Sequence, residues 1–486
     1  MQAWNLGVTE KAGRQVLAQL HASGYEAYFV GGCIRDACLG KPVKDIDIAT
    51  SAKPEEVIAC FERTVPTGLQ HGTVTVLIDK QPFEVTTFRT ETAYVDFRRP
   101  TDVQYVTNLE EDLQRRDFTM NAMALGLEGQ IIDPFGGQQD LEAAILRCVG
   151  NPMERFGEDA LRLLRCVRFA AGYQMQIEDE TWEALCTQAP LLKHIAMERV
   201  RAELERLVGG ESPERGLQLL LDSELLAYFR QDLGLPVATA WRTKLSAGAL
   251  ANLTALADVS ARWSLLLLLT EEGPAAARHA LRQLTFARAA GEEVVAVVAL
   301  HDDFVATACL AEPASEVALA ATVKLAAVRY GAKAAQRWLA AIAVLRRAAG
   351  AAMAAPSAPS DMQAAPPRES APAQPVPTVD GAVSSSTVPE TAADLSTSRL
   401  LTFLHTDACD LILASGNQWL TEMPCTMVSE LAITGSDLMQ AAGMKGGPWV
   451  GQLLHELLNR VAVGKLSNSR AQLIEAALVE LKEKSE

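Results

Sequence analysis

AYFVGGCIRDACLGKPVKDIDIAT, residues 27–50, runs from a short apolar stretch through paired glycines and an arginine-bearing segment to a β-branched run with two aspartates. AYFV reads as a strand that ends at Gly31-Gly32 and opens into a helix. Such a strand–glycine–helix passage puts backbone N–H groups and a positive helix end where a phosphate can sit. Arg35, one turn into the helix, would add a bidentate donor; paired glycines before a helix are also simply a tight turn. Asp45 and Asp47 stand two residues apart, so on a strand both carboxylates leave the same face. Like charges so placed repel unless a cation neutralises them, and hard oxygen ligands favour Mg²⁺. The plainer reading is a solvated pair on an edge strand. Against it, Asp45 comes only nine residues after Asp36, so the strand can return beside the glycine-turn helix.

The flanking sequence fills in a unit over 1–150. TEKAGRQVLAQLHASG (9–24) predicts an amphipathic helix with Ala12, Val16, Leu17 and Leu20 on one face and Gly24 as its stop. GTVTVLID (72–79) and PFEVTTF (82–88) predict further strands, giving an α/β or α+β unit around a small sheet. Glu84, between Phe83 and Val85, would either face solvent or add a third acid to the pair. From 151 to 349 the strand signal nearly vanishes and Ala, Leu, Arg and Glu dominate, as in MERVRAELERLV (197–208), so this stretch is expected to be all-helical. Residues 350–398 hold eight of the 22 prolines and no aromatic residue, which cannot build a core and reads as a flexible linker. Helical periodicity returns over 399–486.

Composition narrows the class. A chain of 486 residues that is 49% hydrophobic has ample material for several cores and is not a disordered protein as a whole. No stretch nears the ~20 apolar residues of a membrane span, and the first residues lack the basic and apolar regions of a secretory signal, so a cytoplasmic protein is expected. Nine scattered cysteines without a C-x-x-C pair suit reduced thiols and argue against structural zinc. The net charge of −16 argues against non-specific wrapping of nucleic acid, though not against local basic clusters.

Two such clusters exist. In LQRRDFTMNAMAL (113–125), Arg115-Arg116-Asp117 precedes an apolar run, and Asp117 and Asn121 could share a helix face; alternatively Asp117 is a helix cap. In RFGEDALRLLRCVRFAA (155–171), Gly157 would precede a helix with Glu158 and Asp159 in its first turn, and Arg162, Arg165 and Arg168 at three-residue steps. This is either an ordinary salt-bridged helix or a carboxylate–guanidinium edge matched to a nucleobase, with Asp accepting from an exocyclic amine and Arg donating to ring nitrogen or carbonyl.

These constellations, in this order and spacing, resemble the class II tRNA nucleotidyltransferases, the CCA-adding enzymes of the nucleotidyltransferase and poly(A) polymerase superfamily. The matching residues are GGCIRD (31–36), DID (45–47), RRDFTMNA (115–122), DPFGG (133–137) and EDALRLLRCVRFA (158–170), covering roughly 20–230. ITGSDLM (433–439) with KGGPWVG (445–451) looks like the C-terminal domain of the Gram-positive bacterial type. The resemblance implies an α+β catalytic head with a small mixed sheet (1–150), a helical neck (151–215) and body (216–349), the linker (350–398), and a tRNA-binding tail (399–486). It implies that Asp45 and Asp47 hold Mg²⁺, with Glu84 as the third catalytic carboxylate. Gly32, Arg35 and Arg116 would contact the incoming nucleotide, with Asp117 and Asn121 on its ribose side. Asp159 and Arg162 would read the base in place of a nucleic-acid template, with Arg165 and Arg168 as further nucleotide contacts. RTETAYVDFRRPTDV (89–103) resembles the flexible loop associated with switching to ATP. Cys33 departs slightly from the small residues usual at its position, and the linker departs more.

The activity so implied is addition of C, C and A to a tRNA 3′ end from CTP and ATP, with tRNA bound by its acceptor end and elbow, no membrane, and room for a homodimer. The same chemistry would serve a poly(A) polymerase or A-adding enzyme. His301-Asp302-Asp303 invites a metal-dependent phosphohydrolase reading, for which the sequence offers no convincing partner residues. A catalytically silent tRNA-binding protein, contacting phosphate through Lys445-Gly446-Gly447, is the third class; Trp449 in a packed turn is its plain counterpart.

Overall fold

The computed structural model describes residues 6–7, 9–95, 99–246, 250, 252–308, 315–354 and 398–483. Contacts divide the chain into two compact units, residues 1–238 with 276–291, and residues 239–275 with 292–486.

The first unit opens with α1 (Glu10–Ala22), ended by Gly24 at φ +88°. Then come β1 (Ala27–Val30), α2 (Gly32–Cys38), β2 (Asp47–Thr50), α3 (Pro54–Cys60), β3 (Thr64–Gly68), β4 (Thr73–Ile78) and β5 (Gln81–Thr87). β6 (Arg89–Val95) and β7 (Arg99–Tyr105) form a separate antiparallel pair, followed by α4 (Leu109–Gln114), β8 (Ala124–Leu125), β9 (Ile131–Ile132) and α5 (Gly137–Glu142). The main sheet has seven strands in the order β3-β4-β5-β2-β1-β8-β9. It is mixed because β2 and β5 run parallel while the other pairs are antiparallel. The expected α+β head is therefore present. One sheet face packs on α1, where a Cβ on Gly13 would fall 2.9 Å from the Phe29 ring. The other buries Val30, Ala49, Phe88, Leu109, Leu113, Ala122, Ala124 and Val149.

Two local expectations change. β2 begins at Asp47, so Asp45 lies ahead of the strand: β2 pairs with β1 from Thr50 to Asp47, and β1 ends at Val30 where Gly31 turns away at φ +75°. Residues 89–103, expected as a loop, contribute β6 and β7; the side chains of 91–103 lie outside the described residues.

Beyond the sheet, helices dominate, relieved by a two-residue parallel pair, β10 (Ile145–Leu146) with β11 (Gln176–Ile177). α6 (Pro152–Glu158) starts earlier than expected because Asn151 accepts the Met153 N–H at 2.9 Å and Pro152 suits the first helical position. Gly157 thus lies inside α6, not before a helix. Asp159 breaks the chain in extended conformation, and α7 (Leu161–Gly172) follows. α8 (Asp179–Gln188), α9 (Met197–Val208) and α10 (Pro213–Asp222) complete this helical layer.

In the second unit, every residue from Ala261 to Thr270 is buried, and a cluster of His301, Phe304, Trp338 and Phe403 forms an aromatic core. The helix Ala332–Ala354 runs into the start of the expected linker, and Ser398 at its end already caps the next helix by accepting the Leu401 N–H at 3.1 Å; residues 355–397 lie outside the described ones. A C-terminal core gathers Leu438, Leu453, Leu457, Val461 and Leu473. Among the described residues no helix is long and apolar enough to cross a membrane.

Candidate active site

The site forms where β1 ends and β2 begins, beside the middle of β5. Val30 is the register partner of Asp47, and Asp47 of Glu84, so the three stand in one row across the sheet. Register partners on adjacent strands project from the same face, which sets the two carboxylates side by side. Both are exposed, as is Asp45. Partial desolvation raises the pKa of Asp47, and the nearby charges of Glu84 and Asp45 raise it further against the opposing pull of Arg116. This edge carries more negative charge than its cationic neighbour offsets.

Arg116 stands against the glycine turn. Its Nη1 would lie 2.9 Å from a Cβ on Gly31, whose φ of +75° already favours glycine, so the turn and the close approach both require that residue. Nη2 of Arg116 donates to Asp112 at 3.2 Å, while its Nε is buried and has no hydrogen-bond partner among the described residues. A buried, unpaired N–H costs about 1–3 kcal/mol. Cys33 is buried behind this turn, where desolvation pushes its thiol up to about 12, so it is no nucleophile.

Arg35, by contrast, is largely committed within the protein. Its Nε donates to Asp36 at 2.9 Å and its Nη1 to the Asn121 side-chain oxygen at 2.6 Å. Asn121 in turn donates to Asp117 at 2.9 Å, and Arg165 grips Asp117 from α7 through Nε at 2.8 Å and Nη2 at 2.5 Å. Asp117 and Asn121 do meet, through the 3₁₀ turn Thr119–Asn121 rather than along an α-helix face. Both are buried, so the pair reads first as a bolt between the glycine-turn helix and α7.

That bolt has a pH signature. Burial alone would raise the Asp117 pKa, but Arg165 and the Asn121 hydrogen bond bring it down to about 2. A depressed carboxylate contributes stability that is complete above its unfolded pKa near 4 and lost as pH falls through the folded value. The expected contribution is roughly 2 kcal/mol at neutral pH. Asp117→Asn should therefore unfold more easily than the parent at pH 7, with the gap closing between pH 4 and 2 in denaturant titrations; parallel pH profiles would refute the assignment.

The α7 arginines have partners too. Arg162 is buried, donating to Glu158 at 2.7 Å and to the Arg155 and Arg115 carbonyls at 2.9 and 2.8 Å. Asp159 accepts the Leu161 N–H at 3.0 Å and the Arg199 Nη2 at 2.9 Å. Asp159 and Arg162 are thus neighbours held by different partners, not an ion pair. Arg168 donates to the buried Glu203 at 2.6 Å and lies 4.0 Å from the Phe169 ring centre. Sequence reading singled out neither Arg199 nor Glu203, because both sit among ordinary charges of α9, and only the fold turns them toward α7.

Elsewhere, His301 accepts the Trp338 indole N–H at 3.2 Å, and burial lowers its pKa to about 4. Asp303 is taken by Arg329 and Tyr330. Among the described residues no three His, Cys, Asp or Glu side chains converge on a metal position. The phosphohydrolase alternative thus lacks a ligand set there. In the tail, Lys445, Gly446 and Gly447 are exposed, while the Trp449 indole donates to the Lys445 carbonyl at 3.0 Å and packs on the C-terminal core.

Comparison with known proteins finds matches to the head, the helical part and the tail. Residues 27–147 match the poly(A) polymerase head domain, 174–233 the probable RNA- and SrmB-binding site of polymerase A, and 413–477 tRNA nucleotidyltransferase domain 2. The chain is 52% identical over 218 residues to the CCA-adding enzyme of Lactiplantibacillus plantarum, covering 45% of this chain and 54% of that one. With the CCA-adding enzyme of Lacticaseibacillus paracasei it shares 46% over 273 residues, 56% of this chain and 67% of the other. The chain thus spans about half to two thirds of the length of these curated relatives. The crystal structure of the Bacillus stearothermophilus CCA-adding enzyme in complex with CTP superposes with a TM-score of 0.71 at 29% identity, covering 99% of both chains. On the strength of two thirds of a relative aligned at such identity, the chain belongs to the CCA-adding enzyme family of nucleotidyltransferases.

Proposed function

We propose that the protein adds C, C and A in turn to the 3′ end of tRNA, using CTP and ATP. The observation that carries this reading is one row of the sheet: Asp47 and Glu84 in register, Asp45 just ahead, and beside them the Gly31 turn with the Arg116 guanidinium against it. Asp45 and Asp47 would hold Mg²⁺ together with the triphosphate oxygens. When bound, the metal lowers the pKa of the attacking hydroxyl and steadies charge on the departing side. Gly32, Arg35 and Arg116 orient the triphosphate so that the 3′-hydroxyl lies in line with the α-phosphate. The 3′-hydroxyl gives up its proton to solvent water, the O3′–Pα bond forms, the bond from Pα to the bridging oxygen breaks, and pyrophosphate leaves with that oxygen. Glu84 keeps a third negative oxygen pair at the reacting end.

Base choice falls to Asp159 and Arg162 on the break before α7 and its first turn. A carboxylate offers about four lone-pair sites, so Asp159 can receive an exocyclic amine while Arg199 keeps its hold. Arg162 donates to ring nitrogen or carbonyl, with Arg165 and Arg168 lining the approach. The exposed Lys445-Gly446-Gly447 turn suits a tRNA phosphate. We take residues 1–150, 151–215, 216–349 and 399–486 as head, neck, body and tail in this scheme.

Pyrophosphate release provides the test. It is expected from CTP only when Mg²⁺ and a tRNA lacking its 3′ terminus are both present. Release of inorganic phosphate, or release independent of tRNA, would replace the reading with a hydrolase.

A further inference from the structure

We infer that Tyr173, the residue closing α7, is a positioning residue that sets the pose of Arg35 toward the nucleotide triphosphate. The inference rests on the nucleotide-binding reading of Arg35 proposed above. Tyr173 lies just past the EDALRLLRCVRFA stretch and belongs to none of the motifs considered in the sequence.

Its ring and its hydroxyl restrain Arg35 in different ways. The guanidinium carbon lies 4.4 Å from the ring centre, with the Lys41 ammonium 4.8 Å from the same ring. Attraction to the ring face holds the guanidinium against Tyr173. The hydroxyl donates to Oδ1 of Asp36 at 2.8 Å, the same oxygen that receives Arg35 Nε and lies 2.9 Å from its Nη2. That shared acceptor fixes rotation within the plane. A guanidinium carries five N–H bonds, and Asp36 and Asn121 account for about three of them. The rest lie along the Nη edge, whose Nη2 would stand 3.4 Å from a Cβ on Gly32. Arg35 is only 7% exposed, so little solvent can correct a wrong orientation. One helix therefore carries Arg162 in its first turn and, at its other end, the platform beneath the phosphate-facing arginine.

Tyr173→Phe and Tyr173→Leu separate the two restraints, since Phe keeps the platform and loses only the hydroxyl. Calorimetric titration with CTP and with ATP, each with Mg²⁺, should show affinity falling about three- to tenfold for Phe and further for Leu, equally for both nucleotides. The KM for each nucleotide should rise in step, while kcat, the KM for tRNA and the C-to-A preference stay within about twofold. Parent-like nucleotide affinity in both variants would overturn the inference. So would a Leu variant whose nucleotide affinity, tRNA affinity and Tm fall together while Phe is silent, since that pattern marks a merely structural residue. If the parent protein binds CTP but adds nothing to tRNA, the functional proposal fails while the binding series still judges Tyr173; if it binds no nucleotide, both fail.

Discussion

Replacing Asp47 with alanine is expected to abolish nucleotide incorporation while the protein stays folded and still binds tRNA. A Lewis acid on a phosphoryl oxygen supplies several kcal/mol of transition-state stabilisation, and each ~1.36 kcal/mol is tenfold in rate, so the loss should be about 10³-fold or more. The fold has no stake in this side chain. Asp47 is exposed, and Glu84 and Asp45 work against its charge, so its removal relieves repulsion at the end of β2. An unchanged or slightly higher Tm, an unchanged tRNA affinity and a lost burst in single-turnover incorporation would together place the defect in chemistry. Incorporation within tenfold of the parent would mean that the sheet edge is not where the reaction occurs.

Arg162→Ala should produce the second large effect, and of a different kind. Here stability and selectivity both suffer. Removing a buried guanidinium takes one donor from each of the Arg155 and Arg115 carbonyls and leaves Glu158 with one arginine fewer. A lost hydrogen bond of this kind costs about 0.5–1.5 kcal/mol, and one to a charged group about 1.5–3 kcal/mol. The informative change is in base choice. A good bidentate contact to a base edge discriminates by about 1–3 kcal/mol, so the preference for CTP and ATP over GTP and UTP should fall by roughly ten- to a hundredfold. Arg162→Lys keeps the charge but not the planar fork, and should recover stability better than selectivity. A slower Ala variant with its selectivity intact would leave Arg162 a structural residue of the α6–α7 junction.

Much of this was legible in the sequence, for identifiable reasons. The candidate site is local information: glycines, a helix and an acid pair fall within 24 residues, although the strand expected to include Asp45 begins at Asp47. Glu84 was readable as an acid between two apolar strand residues, but its register with Asp47 was not, because a parallel pairing between segments 37 residues apart leaves no local trace. The start of α6 was signalled by Asn151-Pro152, a cap followed by a first-turn proline that outranks Gly157 as a boundary. The partners of the α7 arginines were invisible for a third reason. Asp117, Glu203 and the carbonyl of Arg115 come from distant segments, and nothing in a charge pattern says which of many surface acids the fold will bury. Hence Arg35, Arg162, Arg165 and Arg168, read from the sequence as donors to a nucleotide, are also the bonds that join the glycine-turn helix, α7 and α9.

The central claim is that side chains of one pocket, without a nucleic-acid template, dictate two different bases in a fixed order. It is tested most directly by sequencing tRNA 3′ ends after a truncated tRNA has reacted with all four nucleoside triphosphates, using the parent protein and Arg162→Ala. The parent should yield ends that stop at CCA, and the variant ends of mixed composition. Runs of A alone, unextended ends, or the same clean CCA from both proteins would contradict it.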